Sequence, residues 1–123
     1  AVVYGKGCGP GALEGISSGK GYVDCSTVSP ECSASIAAAI REKGGMYLEA
    51  PVSGSKKPAE DGQLIFLCGG DKELYDASIP AFETMGKKQL FLGEVGAGAK
   101  MKLVVNMVMS SMLASLSEGI ALT

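Results

Sequence analysis

The sequence predicts an α/β fold in which a mainly parallel sheet is covered by helices. Short β-type segments alternate along the chain with longer segments that carry apolar residues at helical spacing, which is the pattern of strand-helix-strand units. The 18 glycines cluster at the joins between these segments, as expected for tight turns rather than for a flexible linker. A chain of 123 residues that is 46% hydrophobic can also bury a proper core as one domain.

The first glycines do not predict a dinucleotide-binding loop. Gly5, Gly7, Gly9 and Gly11 are spaced almost as in such a loop, but that fingerprint needs a full strand before it and a helix that opens at its last glycine. No full strand precedes these glycines, and Pro10 interrupts the pattern. We interpret the segment as a surface loop.

A short strand is predicted at Gly21 to Asp24, followed by a helix that starts at Pro30. Ser29 can cap this helix, proline suits its first position, and Gly44 stops it. The hydroxyl-rich loop between the two elements lies where open α/β sheets bind ligands. Its hydroxyl groups could equally do no more than cap the helix, so both interpretations stay open.

The next strand, Met46 to Val52, leads into a polar loop from Ser53 to Gly62. At about ten residues, this loop is longer than most connections in a compact domain, and loops of that kind often carry function. Ser53 offers a hydroxyl group and Gly54 an uncrowded backbone N–H. The two groups together are suited to binding a carboxylate.

Two further strands and one helix complete the predicted sheet. The strands are Gln63 to Cys68 and Gln89 to Leu92, and the helix runs from Asp71 to Met85. Pro80 falls inside the helical pattern, so we expect a kink or a break at that position.

The last segment predicts a long helix that begins at the glycine pair Gly96 and Gly98 and runs to the end of the chain. Lys102 and Asn106 stand at i and i+4, which places an ammonium group and a carboxamide on one face, one turn apart. A lysine near a helix start is usually a solvated charge, but a helix held in a core could aim Lys102 at a small ligand. An apolar stripe beside this face is expected to bury into a core: Met101, Val104, Val105, Val108 and Met112.

Composition argues against several classes of function. The net charge is -2 and the lysines are scattered, which disfavours nucleic acid as the main partner. The longest unbroken apolar runs, such as Leu64 to Cys68 and Leu103 to Val105, are too short to cross a bilayer, and the first residues do not form a signal peptide. We therefore expect a soluble intracellular protein without a membrane partner.

The sequence contains no histidine, and its four cysteines, Cys8, Cys25, Cys32 and Cys68, show no C-x-x-C spacing. This argues against metal sites built from cysteine and histidine, and against nucleophiles that need a histidine partner. No metal is expected, and any general acid must be Lys, Tyr, Asp, Glu or Cys.

Three stretches, in this order and at these separations, resemble signatures of the β-hydroxyacid dehydrogenase family. They are Asp-Cys-Ser-Thr-Val-Ser-Pro at 24–30, Ala-Pro-Val-Ser-Gly-Ser at 50–55, and Gly-x-Gly-x-x-x-Lys-x-x-x-Asn at 96–106. Within the family, the run from Ser53 to Leu64 most resembles the plant-type glyoxylate/succinic semialdehyde reductases. The resemblance covers essentially the whole chain.

The resemblance implies a domain organisation. Residues 1–95 would form the C-terminal half of a Rossmann-type doubly wound sheet that binds NAD(P), and residues 96–123 the start of a long interdomain helix that leads into an all-α domain. The chain is therefore expected to be a fragment from the middle of a family member and inactive on its own. The complete protein is expected to be a homo-oligomer, in the cytoplasm or, behind a transit peptide, in a plastid or mitochondrion.

The resemblance also implies a reaction and a set of site residues. The reaction is the NADPH-dependent reduction of small aldehyde acids, glyoxylate to glycolate or succinic semialdehyde to 4-hydroxybutyrate. Lys102 matches the family's catalytic lysine and would act as the general acid. Asn106, Ser53 and Gly54 match substrate-binding residues, and Thr27 matches a residue beside the nicotinamide end of the cofactor.

One alternative is that the fragment is a nonfunctional truncation, whose exposed apolar patches would favour aggregation or pairing with other chains. Two further kinds of alternative stay open. A 3-hydroxyisobutyrate dehydrogenase or a tartronate semialdehyde reductase of the same family would share the three signatures, and NADP is preferred to NAD only through the resemblance. A rival of another class is a non-enzymatic relative that keeps this fold as a binding and oligomerisation module in chromatin but lacks the lysine. The presence of Lys102 argues against that rival.

Overall fold

A computed structural model describes residues 2–5 and 9–123 of the chain, so Gly7 and Cys8 lie outside the described residues. An α/β fold is confirmed, with strands and helices that alternate along the chain. The strands are β1 (Gly21–Asp24), β2 (Met46–Glu49), β3 (Val52–Ser53), β4 (Leu64–Gly70) and β5 (Gly86–Phe91). The helices are α1 (Pro30–Glu42), α2 (Lys56–Glu60), α3 (Lys72–Met85) and α4 (Ala97–Ala121), and a short 3-10 turn covers Ala12–Gly15.

The sheet is centred on β4, which pairs with β5 on one side and with both β2 and β3 on the other. The β1–β2 and β4–β5 pairs are parallel. β2 and β3 both run antiparallel to β4 in one continuous register, in which Glu49 lies opposite Gly69 and Val52 lies opposite Phe66. β3 therefore extends the line of β2 past a short break at Ala50 and Pro51.

The antiparallel ladder was not expected from the alternation of strands and helices. A parallel crossover needs a dozen or more residues, usually with a helix long enough to pack on the sheet. The segment between β3 and β4 contains only the five-residue α2, so β4 turns back beside β3. The sheet is nevertheless rich in parallel pairs, as predicted.

The polar loop after β3 holds more structure than the sequence predicted. Its middle forms α2, with Pro58 in the first turn, where a missing backbone N–H costs little. Lys57 forms an i,i+4 ion pair with Asp61, with Nζ and Oδ1 2.8 Å apart. Both side chains are exposed, so this pair contributes only a few tenths of a kcal/mol.

Of the kink or break predicted at Pro80, the break does not occur, because α3 runs through this position to Met85. Proline removes the backbone N–H that would bond to the carbonyl of Asp76. Asp76 and Pro80 are both exposed, so water can bond to that carbonyl instead. An exposed helix face therefore tolerates the proline.

Two apolar clusters cover the two faces of the sheet. Neighbouring residues of β2 point to opposite faces, with Tyr47 in one cluster and Leu48 in the other. On the Leu48 face α3 supplies Phe82, whose ring stacks on Phe66 at a centroid distance of 4.4 Å. On the Tyr47 face α1 supplies Ile36, Ala37 and Ile40. The strands at the centre are thereby buried on both sides.

The apolar stripe predicted to bury on α4 is exposed, so that expectation is wrong for the described residues. Met112 is 68% exposed and Val108 50%. The buried residues of α4 are confined to Gly98 and Ala99 in its first turn. Helical periodicity identifies an apolar face, but it does not identify what packs against that face.

By length and composition alone, α4 could cross a membrane, and none of its apolar window is buried. Unbroken apolar runs gave no sign of this, because Ser, Gly, Asn and Lys residues interrupt the apolar sequence of α4 without making the helix polar overall. A long helix that packs inside a larger soluble fold has the same properties. The absence of a membrane partner stays a prediction.

Candidate active site

The carboxyl ends of β1 and β2 form one edge of the sheet, where Asp24 and Glu49 lie side by side. Both side chains are buried, with 7% and 2% of their surface exposed. The two carboxylates accept hydrogen bonds from different parts of the chain. Asp24 accepts a hydrogen bond from the N–H of Ser26 at 2.9 Å and so shapes the loop that follows its own strand.

Of the two interpretations that the sequence left open for the hydroxyl-rich loop after β1, the structure confirms helix capping, and ligand binding stays a prediction. Ser29 caps α1, since its Oγ accepts a hydrogen bond from the N–H of Cys32 at 3.2 Å. Thr27 is exposed, and its hydroxyl makes no hydrogen bond to the part of the chain that the structure describes. Thr27 therefore remains available to a ligand.

A concave surface of about 230 Å³ lies beside this loop, between β1 and α1. Its lining combines polar and apolar groups and includes Tyr22, Asp24, Ser26, Val28 and Ile36. Burial, with a smaller contribution from the charge of Asp24, raises the pKa of Tyr22. The Tyr22 phenol is therefore a neutral hydrogen-bonding group at physiological pH.

Ser53 and Gly54 lie at the end of β3, beyond the carboxyl edge of β2. Gly54 has a φ of +145°, and a Cβ atom there would lie 2.7 Å from Leu64 Cδ2 and 3.2 Å from Pro58 Cβ. Ser53 is half-buried and Gly54 is exposed. This backbone conformation and the limited space favour glycine at position 54.

Lys102 and Asn106 lie on one face of α4, as the spacing predicted. From Lys100 onward they are the two side chains of α4 that are half-buried, while the others are exposed. They continue the line of Gly98 and Ala99, the buried residues of the first turn. The polar face of α4 is thus turned toward the rest of the described chain.

The hydrogen bonds among residues 2–5 and 9–123 include none that joins Lys102 or Asn106 to Ser53, Gly54 or Thr27. Thr27 follows the carboxyl end of β1, Ser53 and Gly54 lie at the end of β3, and Lys102 and Asn106 lie on α4. Their assignment as a site therefore stays a prediction.

Sequence reasoning missed Glu49, the residue with the densest set of polar contacts in this region. Its Oε1 accepts hydrogen bonds from three backbone N–H groups at the start of α4, those of Gly96 at 2.9 Å, Gly98 at 2.7 Å and Ala99 at 3.1 Å. Its Oε2 accepts from the hydroxyl of Ser33. We call this set of bonds the Glu49 anchor.

The Glu49 anchor depends on a close approach between α4 and β4. A Cβ atom on Gly98 would lie 2.2 Å from the carbonyl oxygen of Leu67, and a Cβ atom on Gly69 would lie 2.7 Å from Glu49 Oε1. Neither distance is compatible with a side chain. Glycine at both positions therefore lets the start of α4 reach the buried carboxylate.

Two sequence signals could have indicated this anchor. An acidic residue ends an otherwise apolar strand at Glu49, and buried carboxylates need hydrogen-bond donors. The cap position of α4 is Gly96, which has no side chain to satisfy the first N–H groups of the helix. The sequence thus contains helix N–H groups that lack an acceptor and a carboxylate that needs donors, 47 positions apart.

Comparison with known proteins identifies the family. A model described as the NAD binding domain of 6-phosphogluconate dehydrogenase matches residues 2–96. This chain belongs to the β-hydroxyacid dehydrogenase family. Its α/β sheet and terminal long helix are those of a Rossmann-like NAD-binding fold.

Two plant reductases and a nuclear factor are similar to most of the chain. Glyoxylate/succinic semialdehyde reductases 1 and 2 (chloroplastic) of Arabidopsis thaliana are 59% and 62% identical over 99% and 94% of it. The cytokine-like nuclear factor N-PAC of Mus musculus is 49% identical over 91% of the chain and 20% of its own length. A solved structure, the 3-hydroxyisobutyrate dehydrogenase of Mycobacterium tuberculosis with L-serine, matches with a TM-score of 0.82 and 31% identity, over 89% of this chain and 38% of that one.

The chain spans 41% and 33% of the length of the two plant reductases. Activity, substrates and partners of the whole protein are therefore matters for proposal.

Proposed function

We propose that the full-length protein containing this chain reduces small aldehyde acids, glyoxylate and succinic semialdehyde, with NADPH, and that Lys102 is the general acid. The observation that carries the proposal is the half-buried pair of Lys102 and Asn106 on the inner face of α4. The similarity to two plant reductases of these aldehydes supports the choice of substrates.

Lys102 supplies the proton that the reaction needs. When bound, NADPH would provide a hydride for the aldehyde carbon. Negative charge then grows on the aldehyde oxygen, and an ammonium group within about 2.6 to 3.2 Å stabilises that charge and donates a proton to it. Asn106, one turn further along the same face, would hold the substrate and orient the lysine.

Ser53 and Gly54 would bind the carboxylate of the substrate with a hydroxyl group and a backbone N–H. Thr27 would lie beside the nicotinamide end of the cofactor. The concave surface next to the loop of Thr27 fits this part of a cofactor, because its mixed lining offers both ring contacts and hydrogen-bonding groups.

Steady-state kinetics on the full-length protein tests the proposal. Each aldehyde is offered with NADPH and with NADH, and oxidation of 3-hydroxyisobutyrate is measured in parallel. Rapid NADPH oxidation with glyoxylate or succinic semialdehyde supports the proposal. Faster turnover of 3-hydroxyisobutyrate points to another member of the family, and preference for NADH overturns the cofactor assignment.

A second candidate is a binding and oligomerisation module without catalysis, and the 49% identity to the nuclear factor N-PAC favours it. A folded full-length protein with no turnover of any of these substrates would support this function. The two functions also differ in expected location, since a reductase belongs in the cytoplasm or an organelle such as a plastid, whereas a chromatin module belongs in the nucleus. A homo-oligomer is proposed in either case.

A further inference from the structure

We infer that Glu49 is a positioning residue for Lys102, which it places by holding the first turn of α4. The inference rests on the proposed function, because it assigns Glu49 a part in the reaction of Lys102. Glu49 itself touches backbone N–H groups and the hydroxyl of Ser33. Its effect on the reaction is therefore indirect.

The anchor completes the hydrogen bonding of the helix start. The first N–H groups of a helix have no partner within the helix. Here those of Gly96, Gly98 and Ala99 bond to Glu49, and that of Ala97 bonds to the carbonyl of Glu94 at 3.1 Å. The first bond within the helix is then made by Lys100. A carboxylate at this end also interacts favourably with the helix dipole.

The same bonds fix the rotation of α4 about its axis. Three N–H groups around one oxygen atom can be satisfied together in only one orientation of the first turn, because hydrogen bonds weaken steeply away from linearity. Lys102 follows Gly98 by four residues and Ala99 by three, so it lies on the face that the anchor turns inward. Rotating the helix by one residue, about 100°, would carry Lys102 away from that face.

The rest of α4 does not provide a comparable restraint. Every side chain from Met107 onward is exposed, and a rise of about 1.5 Å per residue puts Lys102 only about 6 Å beyond Gly98. The anchor is thus one short turn from the lysine. Behind it, the hydroxyl of Ser33 lies 3.0 Å from that of Tyr47, so the carboxylate is itself held in place.

Three substitutions in the full-length protein separate position from charge. Glu49→Gln keeps the reach of the side chain and one oxygen acceptor but removes the charge. Glu49→Asp keeps the charge but withdraws it by one methylene group, out of reach of some of the three N–H groups. Glu49→Leu removes the acceptor. Asp71→Asn is the matched control, because Asp71 also accepts a backbone N–H, that of Tyr47 at 2.8 Å, while its other carboxylate oxygen bonds to Arg41 and not to α4.

A positioning role predicts the order of kcat. Glu49→Gln should retain the most activity, Glu49→Asp less, and Glu49→Leu should lose on the order of 10²-fold, as expected for a misplacement of about 1 Å. The KM for the cofactor should change by less than about threefold in all three, because Thr27 is held by a different loop. Asp71→Asn should lower the melting temperature and leave kcat unchanged. Hydrogen exchange of the amides at 98–100 should accelerate in the Asp and Leu variants.

Each other outcome overturns the inference in a recognisable way. Equal losses of kcat in Glu49→Gln and Glu49→Leu would mean that the charge of Glu49 takes part in the chemistry. An unchanged kcat in Glu49→Asp, together with faster amide exchange at 98–100, would mean that the anchor does not place Lys102. If Glu49→Leu does not fold, the comparison of Gln with Asp decides. A folded wild-type protein without turnover overturns the proposed function and the positioning role together, whereas an active wild type with three unaffected variants overturns the positioning role alone.

Discussion

The first turn of α4 and the remainder of that helix are held in different ways. In the first turn, Gly98 and Ala99 are buried, and their backbone N–H groups are bonded to Glu49 through directional polar contacts. Farther along, the helix presents an apolar surface to solvent, which we call the outer stripe: Val104, Val105, Val108, Met109, Met112 and Leu113. The half-buried Lys102 lies at the boundary between these two regions.

Magnitudes show what each region can contribute. Hydrogen bonds to a charged group are worth about 1.5 to 3 kcal/mol each, and they fix both distance and orientation. Full burial of one large apolar side chain is worth a similar amount, but the effect is non-directional. The outer stripe could therefore contribute more energy to an interface than the Glu49 anchor does, but it could not by itself fix the rotation that Lys102 needs.

The largest effect is expected at the boundary between the two regions. In the full-length protein, Lys102→Ala should lower turnover by on the order of 10²-fold or more, the usual contribution of a positioned acid. Lys100→Ala is the matched control, since Lys100 is an exposed lysine on the same turn, and it should change turnover by less than about threefold. A change below about threefold for Lys102→Ala itself would rule out its role as general acid.

The next-largest effect, on stability, is expected at Gly98 in the first turn of α4, and Gly119 in the exposed part of the helix serves as its control. Gly98→Ala places a Cβ atom 2.2 Å from the Leu67 carbonyl oxygen, so the helix must move away from the strand and the anchor must stretch. We expect the free energy of unfolding to fall by about 2 to 3 kcal/mol, as for other overpacked sites.

Gly119→Ala is the control for that substitution. Apart from its chain neighbours and the backbone of its own helix, no atom lies within 4 Å of a Cβ at Gly119, so alanine there should stabilise the helix by about 1 kcal/mol through its higher helix propensity. Chemical denaturation of both variants measures the difference. Equal effects at the two positions would contradict the close approach of α4 to β4.

The sequence was sufficient for features that depend on neighbouring residues. The Ser29 cap of α1 follows from local spacing and is confirmed, as is the shared face of Lys102 and Asn106. The backbone bonds of the Glu49 anchor join residues 47 to 50 positions apart, so no local pattern contains them. Four residues of the outer stripe were predicted to be buried, but burial depends on what packs against the helix: Val104, Val105, Val108 and Met112.

The candidate site was predictable to a similar extent. Family signatures identify Ser53, Gly54 and Thr27, and the structure places them at the carboxyl edge of β1 and the end of β3. Their distances from Lys102 depend on the orientation of α4, which long-range contacts set. Sequence spacing predicts which residues share a face of a helix, whereas tertiary hydrogen bonds determine which way that face points.

A smaller effect on stability is expected at Tyr47, whose hydroxyl bonds to Ser33, the side-chain donor to Glu49. Burial raises the pKa of Tyr47 above its ordinary value near 10. An unfolded chain would lose this proton as the pH rises past about 10 while the folded chain keeps it, so stability should fall above pH 10. Tyr47→Phe should make that fall shallower and cost about 1 kcal/mol at neutral pH, because the bond to Ser33 is lost. Denaturation between pH 8 and 11 tests this, and identical slopes would contradict it.

The smallest effect on stability is expected on the outer stripe. Met112 and Leu113 are 68% and 57% exposed, so replacing both with lysine should change the free energy of unfolding of the 123-residue chain by less than about 0.5 kcal/mol. The same change should sharply reduce self-association of the chain and its binding of a dye that recognises exposed apolar surface, because it breaks a continuous apolar surface. Lys87→Ala with Lys88→Ala, on the exposed part of β5, controls for surface substitution in general. A large loss of stability in the stripe variant would show that the stripe is buried in this chain, which would remove the contrast between the two regions of α4.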